Sequence, residues 1–283
     1  MFEIVSYNVV IFKDKINKND KNEFERCILK MKVISIANNK GGVGKTTTSF
    51  NLAVELGKRG KTVLLVDLDP QASLTIYMKF DPAQFQRNAY HVLTRKCSAK
   101  DVIVTTDYEN IDLIPGSIDL SAAEIEITSF FNREHVLAEK LQEVGEYYNY
   151  VLIDNMPSLG ILTINSFMAS DYIIVPVEPT FLAYKGLELI SQTIKEIQKY
   201  NPKIKFLGTF VTMYDHRTQH ARMIVEKIKD NFPFLDIYVK RSVKFSNAAI
   251  AGMSIEEFAE ENYSGANAYK KLAEEVERCV AEE

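Results

Sequence analysis

"NNKGGVGKTTT", residues 38–48, carries two lysines, Lys40 and Lys45, among three glycines. Lys45 stands directly after Gly44 and before Thr46, the order G-x-x-x-x-G-K-[ST] of a phosphate-binding loop, with Asn39 in place of the first glycine. Asparagine accepts left-handed backbone angles better than most residues, so a turn at Asn39 is expected to survive that replacement. Gly41, Gly42 and Gly44, with Val43 between them, let backbone N–H groups approach phosphate oxygens closely. A helix beginning near Lys45 adds the positive end of its dipole. In such a loop Lys45 pairs with the β- and γ-phosphates, Thr46 offers its hydroxyl to Mg²⁺, and Thr47 donates to the α-phosphate. The loop needs one lysine. Lys40 lies off the helix, so its charge is free to point elsewhere.

Outward from the loop, "KVISIAN" (32–38) precedes it as a strand and "KTTTSFNLAVELGKRG" (45–60) follows as a helix closed by Gly60. Further apolar runs recur at "TVLLVDLD" (62–69), "IDLIPG" (111–116), "YVLID" (150–154), "DYIIVPVE" (171–178) and "IKFLGTFVTMY" (204–214). Nearly continuous apolar runs mark strands buried on both faces, as in a parallel sheet. With helical patterns between them, they predict an α/β fold: a doubly wound, mostly parallel sheet with helices on both faces. No internal repeat or low-complexity linker interrupts residues 31–283, which read as one domain. Residues 1–30 read as an N-terminal extension, polar and alternating in charge sign after its first apolar stretch.

The composition, 46% hydrophobic and 25% charged over 283 residues, suits one sizeable core. No run of eighteen apolar residues predicts a membrane span. The N-terminus lacks a basic start and a small-residue cleavage site, so secretion is not expected. Cys27, Cys97 and Cys279 form no C-x-x-C pair and suit a reducing cytoplasm.

Two further segments carry carboxylates. In "LLVDLDPQAS" (64–73), Asp67 and Asp69 would share one face of an extended strand, where such a pair can hold waters beside a Mg²⁺-triphosphate. "YVLIDNMPS" (150–158) puts Asp154 at the tip of an apolar strand.

"KGGVGKTT" (40–47) resembles the deviant Walker A motif of the ParA/MinD ATPases, P-loop NTPases by fold. The resemblance to ParA (Soj-type) partition ATPases runs from about Met31 to about Val276. It includes "IPGSIDLSAAEIEI" (114–127), "LTINSFMASDYIIVPVEPTFLAYKGL" (162–187), "VTMYDHRT" (211–218) and "GANAYKKLAEEV" (265–276). It implies ATP and Mg²⁺ as cofactors. It also implies a homodimer formed with ATP, in which Lys40 reaches the partner's phosphates and joins Lys45 and Asp69 in catalysis. Asp69 would position the hydrolytic water, Asp67 would lie near the metal, and Asp154 would accept from a water on Mg²⁺. Gln71 would begin the first switch region. Hydrolysis would be slow and stimulated by a ParB-like centromere-binding partner. The chain departs from the family at Asn155-Met156-Pro157, where D-x-P-P is usual. It departs again at Lys240-Arg241-Ser242, where a proline is missing from the segment expected to contact adenine.

In ParA relatives, basic residues of the last segments bind double-stranded DNA without sequence preference. Arg217 and Lys244 occupy the matching positions, with Arg222 and Arg241, and beside them Lys227 and Lys240, as further candidates. Residues 199–250 carry ten Lys/Arg against four Asp/Glu, whereas residues 251–283 carry three against nine. A basic stretch in an acidic chain is the footprint of phosphate contact. The expected location is the cytoplasm, on the nucleoid. A MinD-like spatial regulator acting on a membrane or protein scaffold is the alternative. It calls for a basic amphipathic C-terminal helix, and the chain ends "EEVERCVAEE" (274–283). Thirty residues are too few for an N-terminal helix-turn-helix domain with its own core, so a short-form ATPase is expected. His216 and His220 have the spacing of a zinc pair but no third ligand or glutamate base between them.

Overall fold

The computed structural model describes residues 31–260 and 262–282, so the extension read at 1–30 lies outside the described residues. The first half runs β1 (Lys32–Ile36), α1 (Lys45–Lys58), β2 (Val63–Leu68), α2 (Ser73–Tyr77), α3 (Ala89–Leu93), β3 (Val104–Thr105), β4 (Ile111–Ile114), α4 (Leu120–Glu126) and α5 (Val136–Gln142). The second continues β5 (Tyr150–Asn155), α6 (Ile161–Ala169), β6 (Tyr172–Val177), α7 (Phe181–Ile197), β7 (Lys205–Tyr214), α8 (Gln219–Asn231), β8 (Phe234–Lys240), α9 (Val243–Ala251), α10 (Ile255–Phe258) and α11 (Ser264–Ala281).

Among the described residues the strands form one sheet in the order β3-β4-β2-β5-β1-β6-β7-β8. Every neighbouring pair is parallel except β3 with β4. The predicted α/β fold is therefore observed. The apolar runs are continuous because successive side chains enter opposite layers. Ile34, Ile36, Leu65, Leu152 and Ile174 pack with Phe50 of α1 and Leu272 of α11. Their neighbours point the other way: Leu64, Val66 and Ile153 meet Leu137 of α5 and Leu162 of α6. Ile173 and Val175 meet Leu187 and Ile190 of α7.

Two strands escape the sequence reading. β3 has only two residues. β8 is an edge strand in which Leu235, Ile237 and Val239 are buried while Asp236 and Lys240 are exposed. An alternating edge strand lacks the unbroken apolar run of the central ones.

The topology places the site. From β1 the chain moves to β2 on one side of the sheet, and from β5 it crosses β1 to reach β6 on the other. Ligands of open α/β sheets bind beyond the carboxyl ends of strands where the order reverses in this way. The loop after β1, Asp69 after β2, Asp154 on β5, Glu178 after β6, Arg217 after β7 and Arg241 after β8 all stand at that end.

Candidate nucleotide site

The loop between β1 and α1 owes its shape to glycine at two positions, Gly42 (φ 71°) and Gly44 (φ 89°). A side chain there would strain the backbone. Asn39, expected to take a left-handed turn, does not adopt a positive φ. Its amide packs instead against α7, where a Cβ added to Gly186 would lie 2.6 Å from Asn39 Oδ1. A Cβ built on Gly41 or Gly42 meets nothing within 4 Å, so the loop encloses open space. Gly44 supplies no side-chain cap to α1, and the first turn holds no acidic residue. The free N–H groups of that turn are therefore left for an anion.

Two strands on one side of β1 hold the loop. Buried Asn38 donates from Nδ2 to the Pro176 carbonyl of β6 (2.8 Å) and accepts the Lys40 N–H on Oδ1 (2.9 Å). The Thr212 hydroxyl of β7 donates to the Val43 carbonyl at 2.9 Å. Neither residue carries a motif signal in the sequence.

Beneath the loop lie the charges. Lys45 is 7% exposed and donates weakly to the Lys40 carbonyl at 3.3 Å. Burial holds its ammonium below the usual lysine range, against the raising pull of Asp154 and Asp69. Asp154 accepts from the Thr46 hydroxyl at 2.7 Å and the Ser49 hydroxyl at 3.1 Å. Burial, and then the charge of Asp67 on the paired strand, push it up to about 7.

The two aspartates of "DLD" are not presented together as the strand spacing suggests, because β2 ends at Leu68 and the chain turns. Fully buried Asp67 accepts on Oδ2 from the Thr75 N–H (2.9 Å) and hydroxyl (2.7 Å), and on Oδ1 from the Asp69 N–H (3.2 Å). Both of its oxygens are thus engaged with its own chain, and burial raises it to about 6. Asp69 caps the turn, accepting the Gln71 N–H at 2.9 Å, and lies close enough to Lys45 to act on its charge.

These shifts carry a sign. Asp67 and Asp154 both titrate above the ordinary aspartate value of 3.8. Between about pH 4 and 7 the folded state holds protons that the unfolded state has released, so their contribution to stability falls as pH rises. Asp154→Asn cannot ionise. Its melting temperature in the absence of nucleotide is expected to gain on the wild type from about pH 5 to 7 and to level off above that, as read by parallel thermal denaturation. A constant offset between the two proteins would contradict the assignment.

Next to the loop lies a cavity of about 340 Å³, bounded by Gly44, Thr47, Tyr77, Arg241, Phe245 and Tyr269 among others. Its volume is at the lower end of small-molecule sites. The Tyr77 hydroxyl stands 3.3 Å from the Thr47 hydroxyl. Tyr77 escaped the sequence reading because α2 gives it no spacing relation to the loop.

Lys40 turns away from the cradle and places Nζ 2.6 Å from Glu178 Oε2. The same carboxylate accepts from Arg241 at 2.6 Å on Oε1. Two other cations read as DNA contacts also hold carboxylates of their own chain. Arg217 is paired with Asp215 at 2.7 Å, and Lys244 with Glu260. Arg222 is exposed on α8. Among the described residues no three His, Cys, Asp or Glu side chains gather as a metal site. Mg²⁺ fits such a donor set, because it keeps water and phosphate ligands and needs few protein groups. The Thr46–Asp154 pair is the group that suits it.

A glycine cradle, an uncapped helix start, a buried lysine and a hydroxyl–carboxylate pair at the switch point of a parallel sheet define a P-loop nucleotide-binding protein. A family described as an AAA domain matches residues 31–206. The chain belongs to the ParA/Soj-type partition ATPases of the ParA/MinD family, with its deviant Walker A motif. It is 39% identical to the sporulation initiation inhibitor protein Soj of Bacillus subtilis, over 87% of this chain and 98% of that one. It is 35% identical to the chromosome partitioning protein ParA of Caulobacter vibrioides, over 87% and 94%. A crystal structure described as cobyrinic acid a,c-diamide synthase from Mycobacterium smegmatis, with bound ADP and magnesium, matches with a TM-score of 0.77. It is 33% identical and covers 88% of this chain and 94% of that one.

Proposed function

We propose that this chain is a slow ATPase that dimerises on ATP, binds double-stranded DNA through its backbone, and drives partition of DNA with a ParB-like partner. The observation that carries the reading is the division of labour between two lysines. Lys45 is buried beneath the loop, while Lys40, five residues earlier, leaves the cradle altogether. A P-loop complete without Lys40 has a spare cation at its rim, available to the phosphates of a second copy.

In this reading the N–H groups of the loop and of the first turn of α1 hold the phosphates, with Gly41, Gly42, Val43 and Gly44 giving close approach. Lys45 neutralises the β- and γ-phosphates, and Thr47 and Tyr77 flank the nucleoside cavity. Thr46 and, through a water, Asp154 would hold Mg²⁺, with Asp67 ordering the turn behind them. The ion would supply charge neutralisation on the phosphates. Asp69 orients the attacking water, and Lys40 of the partner stabilises charge as an arginine finger does. Arg217, Lys244, Arg222 and Arg241 form the DNA surface. Exposed ion pairs are weak, so DNA phosphates can displace Asp215 and Glu260 from Arg217 and Lys244. The protein would work in the cytoplasm, on the nucleoid.

The relatives named for chromosome partitioning support this reading. The Mycobacterium smegmatis neighbour, described as a diamide synthase, favours a second one, an enzyme that uses ATP to form an amide on an acid. Phosphate release without any acid or amide donor separates them. The partition reading expects turnover with ATP and Mg²⁺ alone, on the order of 10⁻⁴ to 10⁻² per second, the range of unassisted P-loop switches. Turnover that appears only with an acid and a nitrogen donor would overturn it.

A further inference from the structure

We infer that Glu178 is the positioning residue for Lys40, a clasp that keeps the ammonium on its own subunit and sets the threshold for dimerisation. The inference rests on the reading that Lys40 acts across a dimer. Glu178 follows β6, the strand hydrogen-bonded beside β1. Its side chain is the most enclosed of the three partners, 20% exposed against 38% for Lys40 and 64% for Arg241. Each of its oxygens takes one cation at 2.6 Å.

The pairing is fixed from the backbone outward. Asn38 holds the Lys40 N–H on one side and the Pro176 carbonyl on the other, so one side chain ties the backbones that carry Lys40 and, two residues further on, Glu178. Lys40 therefore meets Glu178 because of where the loop is clamped. A Lys40 that swings out to the phosphates of another copy leaves Glu178 behind, so clasp and dimer compete for one ammonium. Arg241 holds the second oxygen and keeps the carboxylate in place when Lys40 leaves. Dimerisation then requires two clasps to open, one per subunit.

Sedimentation equilibrium with a non-hydrolysable ATP analogue, and with ADP, tests this on the wild type, Glu178→Gln, Glu178→Asp, Lys40→Met and Lys40→Met/Glu178→Gln. Glu178→Gln is expected to lower the dimer dissociation constant about tenfold with the ATP analogue, since two partly exposed ion pairs of a few-fold each are removed. Nothing should change with ADP, and Glu178→Asp should remain closer to the wild type. In the Lys40→Met background, which should stay monomeric, Glu178→Gln should not restore the dimer, whereas a role of Glu178 independent of Lys40, such as repelling the phosphates of a second copy, would let it. A wild type that dimerises while Glu178→Gln dimerises equally or less well overturns the clasp and leaves the dimer reading standing. A Glu178→Gln dimer seen where the wild type stays monomeric supports both. Monomers throughout, with the ATP analogue bound, would overturn the dimer reading and the clasp with it.

Discussion

Replacing Lys45 by alanine is expected to weaken ATP binding and to lower turnover by about 10³-fold, the scale of losing a group that stabilises charge at the reacting phosphate. Lys45 is the buried cation of the site, reaching its place from the first residue of α1. Its ammonium faces Asp154 and Asp69, so its loss leaves carboxylates as the charges beneath the cradle. A triphosphate entering that space would meet negative charge uncompensated. Calorimetric titration with Mg-ATP, together with phosphate release, checks the expectation. Turnover within tenfold of wild type would show that the loop is held for some purpose other than phosphate.

Replacing Lys40 by alanine should separate binding from turnover. Lys40 lies outside the cradle, on Glu178, so a single subunit should still take up ATP with close to wild-type affinity. Dimerisation with ATP and hydrolysis should both fail, the latter by about 10³-fold, as when an arginine finger is removed. The contrast is the informative part, since Lys45→Ala loses nucleotide whereas Lys40→Ala keeps it. Measured side by side, equal losses of affinity in both variants would mean that Lys40 serves its own subunit's phosphates.

Much of this was legible in the sequence for identifiable reasons. The central strands are buried on both sides, so they appear as unbroken apolar runs, and the phosphate loop must place its glycines, lysine and threonine consecutively. Asp154 was legible because it terminates such a run. β8 was hidden by alternation, with Asp236 exposed between buried Leu235 and Ile237. Asp67 and Asp69 depart from the shared face that their spacing suggests, because spacing on an ideal strand does not reveal that β2 ends at Leu68. The turn after Leu68 buries Asp67 against Thr75 and leaves Asp69 at the rim. Asn39 kept its place in the loop for a tertiary reason, the close approach of Gly186. Glu178 had no local signal at all, because its relation to Lys40 spans 138 residues and exists only once β6 lies beside β1. Asp215 and Glu260 lie much nearer in the chain, two residues from Arg217 and sixteen from Lys244, and hold those two cations of the basic stretch.

Binding to a random-sequence DNA duplex, followed by fluorescence anisotropy with ATP, ADP or no nucleotide over a salt series, is the decisive test of the nucleotide-gated DNA switch. Binding is expected with ATP alone. Affinity should fall about a hundredfold between about 50 and 200 mM salt, as expected when roughly four phosphates are contacted by Arg217 and Lys244 of two subunits. Binding that is absent with ATP, or equal in all three nucleotide states, would contradict it.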